Sequence, residues 1–256
     1  MKRKAPGPDW AGWLRRWDEQ QQSFNADRER RFSAMFDVAE ATVGKRFRAL
    51  DLGSGPGSLS LRLLRRFPRA RSVAVDYDPV SLEVGERALG TLGGRLKWVD
   101  ANLGRPGWSD RLPPGRYDAV LSTTALHWLG PTPLRRLYRD LHSRLRKGGV
   151  FLDGDHLPWG PEHRHLSHVA ESVRTIRFKG ASVDSEWEAW RKWWAAAERV
   201  PELKPFFRER EVRRAEHPKH EDVSLEVHCQ ALHRAGFREV SVVWQDLENR
   251  ILFATR

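Results

Sequence analysis

The chain has a single cysteine, Cys229, in 256 residues. One thiol can form no internal disulfide and no cysteine-rich metal centre, so the fold must rest on packing, and a reducing cytoplasmic setting is expected. No apolar run approaches the length that crosses a bilayer, and Met1-Lys2-Arg3-Lys4 leads into no apolar signal core, so no membrane is expected as a partner. A phosphate-binding Gly-Lys-Ser loop, a serine-hydrolase elbow and an internal repeat are all missing. Acidic residues are in deficit: 34 Asp and Glu face 45 Lys and Arg, a formal charge of +11. That balance suits a polyanion such as nucleic acid. Yet arginine is spread along the whole chain and no basic tract exceeds a few residues, as a compositional bias would produce.

What is present is organised around 48–60, Arg-Ala-Leu-Asp-Leu-Gly-Ser-Gly-Pro-Gly-Ser-Leu-Ser. A short apolar strand enters three alternate glycines, Gly53, Gly55 and Gly57, and a helix follows from Ser58. Glycine permits positive φ and a close ligand approach, and the helix N-terminus turns free N–H groups toward the same place. A second apolar strand ends at Asp76, nineteen positions after Gly57, where a carboxylate can accept from both hydroxyls of a ribose. The dinucleotide fingerprint needs a further glycine at position 58, which is Ser58.

The pattern elsewhere alternates strand and helix. Strands are predicted at 48–52, 72–76, 96–99, 118–121 and 150–153, with helices at 58–66, from 79 to the Gly93-Gly94 stop, and at 133–145, closed by Gly148-Gly149. Apolar strands between helices imply a mostly parallel sheet covered on both faces. Residues 1–9 read as disordered, and 10–42 as two or three helices, with Ser23 or Asn25 as an internal cap. The polar stretch 20–28 is a candidate for touching a bound ligand, or a solvated helix face. Between 157 and 222 lies an insertion with Trp187, Trp190, Trp193 and Trp194 on one helical stripe, either packed on the body or walling a substrate pocket; Pro201 and Pro205 break that helix. A helix at 224–235, Gly236 and two closing strands at 237–244 and 251–255 complete the chain.

Five of these segments together resemble the class I S-adenosylmethionine-dependent methyltransferases: Asp51-Leu52-Gly53-Ser54-Gly55-Pro56-Gly57, Asp76, Val99-Asp100-Ala101, 117–122 and 145–151. The C-terminal helix, Ala-Gly-Phe and closing hairpin are similar to that family as well. The resemblance implies an α/β, Rossmann-like, seven-stranded, mostly parallel sheet with an antiparallel C-terminal strand, N-terminal helices and a helical lid insertion. It divides the chain into a cap at 1–44, a cofactor-binding domain at 45–156 and 223–256, and a lid at 157–222. The implied cofactor is S-adenosyl-L-methionine, and the implied activity is methyl transfer to a small molecule. The alternatives are an RNA methyltransferase, carried by the net charge, or a non-catalytic cofactor-binding protein of the same fold. An adenine or glutamine methylase is disfavoured, because Ser122-Thr123-Thr124-Ala125 stands where those carry Asn-Pro-Pro-aromatic.

The same resemblance assigns residues. The backbone of Gly53, Ser54, Gly55 and Gly57 lies along the amino-acid end, and Asp51 sets a negative charge near its ammonium or caps the strand end. Asp76 holds the ribose, with Asp78 as the second choice or as a helix cap, and Tyr77 packs on adenine. Asp100 accepts from the adenine amino group beside the Ala101 N–H, and Ser122 and Thr123 meet the methionine part through their backbone. The segment 125–129, Ala-Leu-His-Trp-Leu, is similar to relatives of trans-aconitate methyltransferase. His127 is the catalytic candidate, as a general base; pocket lining and plain structure are the other readings, and His156 is a second choice. His163, His165 and His168, near Asp153, Asp155 and His156, have a spacing that permits a first-row metal, but polar loop residues are the simpler reading and no metal is expected. Oligomeric state is not legible in the chain.

Overall fold

Strand-forming and helix-forming segments alternate from Arg48 onward, and the computed structural model shows how they assemble; it describes residues 7–24, 27–177, 183–215 and 223–256. Two helices come first, α1 (Trp10–Phe24) and α2 (Arg28–Val43). Then follow β1 (Arg48–Leu52), α3 (Ser58–Arg66), β2 (Arg71–Asp76), α4 (Pro79–Leu89), β3 (Leu96–Asp100), β4 (Tyr117–Thr123), α5 (Pro131–Arg144) and β5 (Leu145–His156). The insertion forms α6 (Arg164–Arg177), α7 (Val183–Glu198) and α8 (Lys204–Ala215), and the chain closes with α9 (Leu225–Arg234), β6 (Arg238–Asp246) and β7 (Asn249–Thr255).

These strands make one seven-stranded sheet in the order β3-β2-β1-β4-β5-β7-β6. Strands β1 to β5 are parallel, and β7 runs antiparallel between β5 and β6. β1 pairs β2 on one side and β4 on the other, so the winding reverses beside it. At such a reversal the helices leave in opposite directions and open a crevice at the carboxyl ends of the strands. One sheet face packs Leu50, Val120 and Phe151 against α5 and α9; the other packs Ala49, Leu121 and Leu152 against α2 and α3.

Local chemistry sets the elements near the crevice. α3 buries Leu59, Leu63 and Leu64 and starts after Gly57, which is left-handed at φ +86°. The Asp78 side chain caps α4 by accepting from the Ser81 N–H at 2.9 Å, with Pro79 in the first helical position. The Gly148-Gly149 pair differs from expectation, since it lies inside β5 rather than closing α5. The reason is a backbone approach: a Cβ on Gly149 would stand 2.9 Å from the Asp118 carbonyl, and the pair extends the ladder to Arg256. Of the expected caps, Ser23 lies within α1 and Asn25 falls outside the described residues.

The inner half of the tryptophan stripe of α7, Trp193 and Trp194, packs down onto the body, while Trp187 at its outer end is exposed. Trp193 is buried with Val80 and Val84 of α4, meets Trp13 and Trp17 edge-to-face at 5.6 and 4.9 Å, and donates its Nε1–H to the Trp13 carbonyl. Pro201 opens the 3-10 turn between α7 and α8, whereas Pro205 sits in the first turn of α8, where a missing N–H is tolerated. α6 buries only Ala170 and is tied to the β6–β7 hairpin by Arg174–Glu248 and Arg177–Asp246 pairs. No helix among the described residues is long and apolar enough to cross a membrane.

Gly53 has φ +63°, and a Cβ there would fall 2.2 Å from that of Ala125. Gly53→Ala should therefore destabilise the protein by about 2–4 kcal/mol in urea unfolding, combining backbone strain with overpacking. The control Gly94→Ala, at φ +78° with nothing within 4 Å, should lose only about 1 kcal/mol. Equal losses would show that the loop after β4 does not rest on Gly53.

Candidate active site

The glycine turn is pinned from below and from the side. The Ser54 N–H donates to the Val75 carbonyl at 3.0 Å, and the Gly57 N–H closes the turn on the Ser54 carbonyl at 2.9 Å. Asp76, at the end of β2, accepts the Gly55 N–H on Oδ2 at 2.7 Å and the Tyr77 and Asp78 N–H groups on Oδ1 at 2.7 and 2.9 Å. A carboxylate has roughly four acceptor positions. With three filled by backbone, Asp76 has one acceptor position left, against the two that bonds from both hydroxyls of a ribose would use. Burial pushes its carboxyl up to about 6, the neighbouring charges of Asp78 and Asp100 add to the rise, and the N–H bonds oppose it.

Asp51 lies deeper, 1 % exposed. Its Oδ2 accepts the N–H and the hydroxyl of Ser60 at 3.1 and 2.7 Å, so the hydroxyl of Ser72 is the donor in the 2.8 Å contact between the two serines. Its Oδ1 has no hydrogen-bond partner. Burial raises this carboxyl to about 7, the Asp76 charge adds to the rise, and the two Ser60 bonds and then Arg28 pull it down only in part. Two more buried groups have unpartnered atoms: Arg28, whose charge acts on Asp51, at Nε, and Gln20 of α1 at both Oε1 and Nε2. Gln20 follows Trp17 by one turn of α1, and Trp17 rests on Gly55, 3.4 Å from where a Cβ would stand. A buried polar group without a partner is costly. This set holds both acceptors and donors, a combination complementary to an ammonium together with a carboxylate.

On the other side of the turn, β4 runs into a 3-10 turn at Leu126–Trp128. Thr124 has φ +49°, a left-handed backbone that a β-branched residue adopts only under constraint. The constraint is Asp155, fully buried on β5. Its Oδ2 accepts the N–H groups of Ala125 and His127 at 3.2 and 3.3 Å; its Oδ1 accepts the His156 N–H and meets His127 Nδ1, each at 2.8 Å. Burial works against its charge, but the His127 ring, Arg31 and the His156 N–H outweigh burial and hold it near about 2. Asp153, two residues earlier on the same face, goes the other way: burial and the Asp155 charge push it well above the carboxylate range, so it is the neutral acid of the pair. Arg31, buried on α2, donates to Thr123 Oγ1 at 2.7 Å and to Asn249 Oδ1 at 2.8 Å, and burial lowers it to about 10. Beneath them Tyr138 and His228 share a 2.6 Å hydrogen bond, and burial lowers His228 to about 4, leaving it neutral.

Outward from Asp76, the Ala101 N–H donates to the Asp76 carbonyl at 2.8 Å, so the amide expected beside adenine is already used in the sheet. Asp100 is held by the Arg213 guanidinium at 2.8 and 2.6 Å. The Ser122 hydroxyl points inward to the Leu52 carbonyl at 3.0 Å, and its backbone lies in the ladder between β1 and β5. Sequence reasoning missed Asp155 as the partner of His127, and missed Arg31, Arg210 and Arg213. The alternation of Asp153 and Asp155 in a buried strand was the available signal for the first. Among the described residues, the ligand atoms of Glu162, His163 and Glu226 lie within 4.8 Å of one another, a grouping without Asp153, Asp155 and His156.

Residues 49–149 match the family model described as a methyltransferase domain. A trans-aconitate 2-methyltransferase of Azoarcus sp. is 31% identical over 134 residues, 52% of this chain and 48% of that protein. One from Streptomyces avermitilis is 28% identical over 161 residues, 62% of this chain and 58% of its own length. The chain thus spans about half the length of these curated relatives. An O-methyltransferase family protein from Burkholderia thailandensis shares the fold at a TM-score of 0.55, with 17% identity, covering 94% of this chain and 59% of that one. The pyocyanin biosynthetic protein PhzM does so at 0.53, with 20% identity, over 92% and 61%.

The raised carboxyls of Asp51 and Asp76 set a sign for stability. A folded-state value above the unfolded one means the native state binds the proton more tightly, so that contribution is lost as pH rises through about 6 to 7. Asp51→Asn should flatten the fall of the urea midpoint between about pH 4 and 7. Parallel slopes in variant and wild type would contradict the assignment.

Proposed function

We propose that this chain, a member of the class I S-adenosylmethionine-dependent methyltransferases, transfers the cofactor's methyl group to an oxygen on a small molecule. The observation that carries the reading is the buried polar set beside the glycine turn. Asp51 Oδ1 and Gln20 Oε1 accept from the cofactor's ammonium, while Arg28 Nε and Gln20 Nε2 donate to its carboxylate. The remaining acceptor position of Asp76 takes one ribose hydroxyl. When bound, the cofactor supplies an electrophilic methyl on a sulfonium; the chain supplies position and proton removal.

His127 removes the proton. With Nδ1 against the ionised Asp155, the ring carries its proton on Nδ1, so Nε2 is the basic nitrogen, and any positive charge that develops is balanced by that carboxylate. The two amides bonded to Asp155 fix the loop that carries the ring. A carboxylate acceptor already bears its charge and needs no base, so the dyad favours a hydroxyl. The relatives named as trans-aconitate 2-methyltransferases support a small acceptor. The basic depression lined by Arg116, His142, Arg146, Lys147, Arg238 and Arg256 lies at the opposite end of β4 from His127. A strand of that length spans roughly 20 Å. A polyanion held there has no reason to bring a nucleophile to the ring.

Two measurements test this. Titration calorimetry should show S-adenosylmethionine binding, and tritiated methyl should pass to a hydroxylated metabolite. His127→Gln should lower turnover by about 10²–10⁴-fold while cofactor affinity stays within about twofold. Full turnover in that variant, or methyl transfer to carboxylates alone, would contradict the general-base role.

A further inference from the structure

The insertion reaches the nucleoside end of the site through two arginines on α8. Arg210 Nε donates to Asp78 Oδ2 at 2.5 Å, and its guanidinium lies 3.7 Å over the Trp194 ring. Arg213 forks onto both oxygens of Asp100 at 2.8 and 2.6 Å and also donates to the Tyr77 carbonyl and to Glu209. Asp76 and Asp100 are register partners at the ends of β2 and β3, and Asp78 follows β2 directly. Three carboxylates therefore stand together, close enough that Asp78 and Asp100 help raise the Asp76 carboxyl. Arg210 and Arg213 neutralise the outer two. α8 follows the 3-10 turn Pro201–Leu203, where Leu203 is buried with Trp193 and Val80 and anchors the start of the helix.

We propose that α8 is an ion-locked latch over the nucleoside end, and that Arg213 must leave Asp100 and the Tyr77 carbonyl before a nucleoside can settle at the strand ends. The proposal rests on the cofactor reading above. Its chemistry is competition: the acceptors that would recognise an adenine amino group are the ones the guanidinium now holds. Asp100 is 43% exposed, so solvent and salt screen its pair, and the lock is weak enough for a ligand to open. Arg210 is better covered and stacked on Trp194, which makes it the pivot about which the outer end of α8 swings.

The test uses the full chain and S-adenosylhomocysteine, whose ammonium and carboxylate cancel, so that salt acts on the latch and not on long-range steering. Stopped-flow association should quicken about 2- to 5-fold in Arg213→Ala. In wild type the rate should climb with added salt, and in the variant it should not. Amide hydrogen exchange across 204–215 without ligand should be faster in the variant. Arg213→Lys, which keeps the charge and loses the fork, should fall between, with an unchanged melting temperature showing that both variants fold. An association rate that is the same in variant and wild type overturns the latch while leaving the cofactor reading intact. A tenfold loss of equilibrium affinity in Arg213→Ala also overturns it, by making the arginine a ligand contact. No binding by wild type or variant overturns the cofactor reading and the latch together.

Discussion

The carboxylate of Asp76 joins the first two parallel strands where their loops diverge, by taking the N–H of Gly55 from one loop and those of Tyr77 and Asp78 from the other. The glycine turn depends on that tie. It holds Gly55 beneath Trp17, directs the start of α3 toward the crevice and leaves Asp51 under Ser60. Such a charge in a buried place survives only because several donors converge on it. Burial nevertheless displaces its carboxyl upward, as it does that of Asp51.

A second pair of acids, on the neighbouring half of the sheet, resolves the same tension by splitting. Asp153 is neutral and Asp155 ionised, two residues apart on one face of one strand. The difference lies in partners: Asp155 collects an imidazole and three backbone N–H groups, while neither side-chain oxygen of Asp153 has a hydrogen-bond partner. Environments that drive adjacent carboxyls apart are a usual mark of a proton-handling site. Here they orient one imidazole at the rim of the crevice.

Much of this was legible in the chain, for reasons that can be named. Gly53, Gly55 and Gly57 had to be glycine because all three adopt positive φ, and strand, turn and helix follow one another within a few residues. Asp76 could be placed because a strand end is a local signal. Contacts between distant segments were not legible. His127 and Asp155 are 28 residues apart, and Arg213 lies 113 residues from Asp100. No period or spacing encodes such pairings; they arise when α5 and the insertion dock. The same reason explains Gly148-Gly149, a helix stop by local grammar but in fact a place where two strand backbones come close. The tryptophan stripe was ambiguous between packing and pocket because a helix face says nothing of what covers it; α1 and α4 cover Trp193 and Trp194 and leave Trp187 exposed.

The most direct test of the account is a crystal structure of the full chain grown with S-adenosylhomocysteine. The account predicts the ligand across the carboxyl ends of β1 and β2, its ammonium on Asp51 Oδ1, one ribose hydroxyl on Asp76 and its sulfur on the side of His127. A ligand bound elsewhere, or one bound at the crevice with Asp51 Oδ1 still lacking a partner, would contradict it.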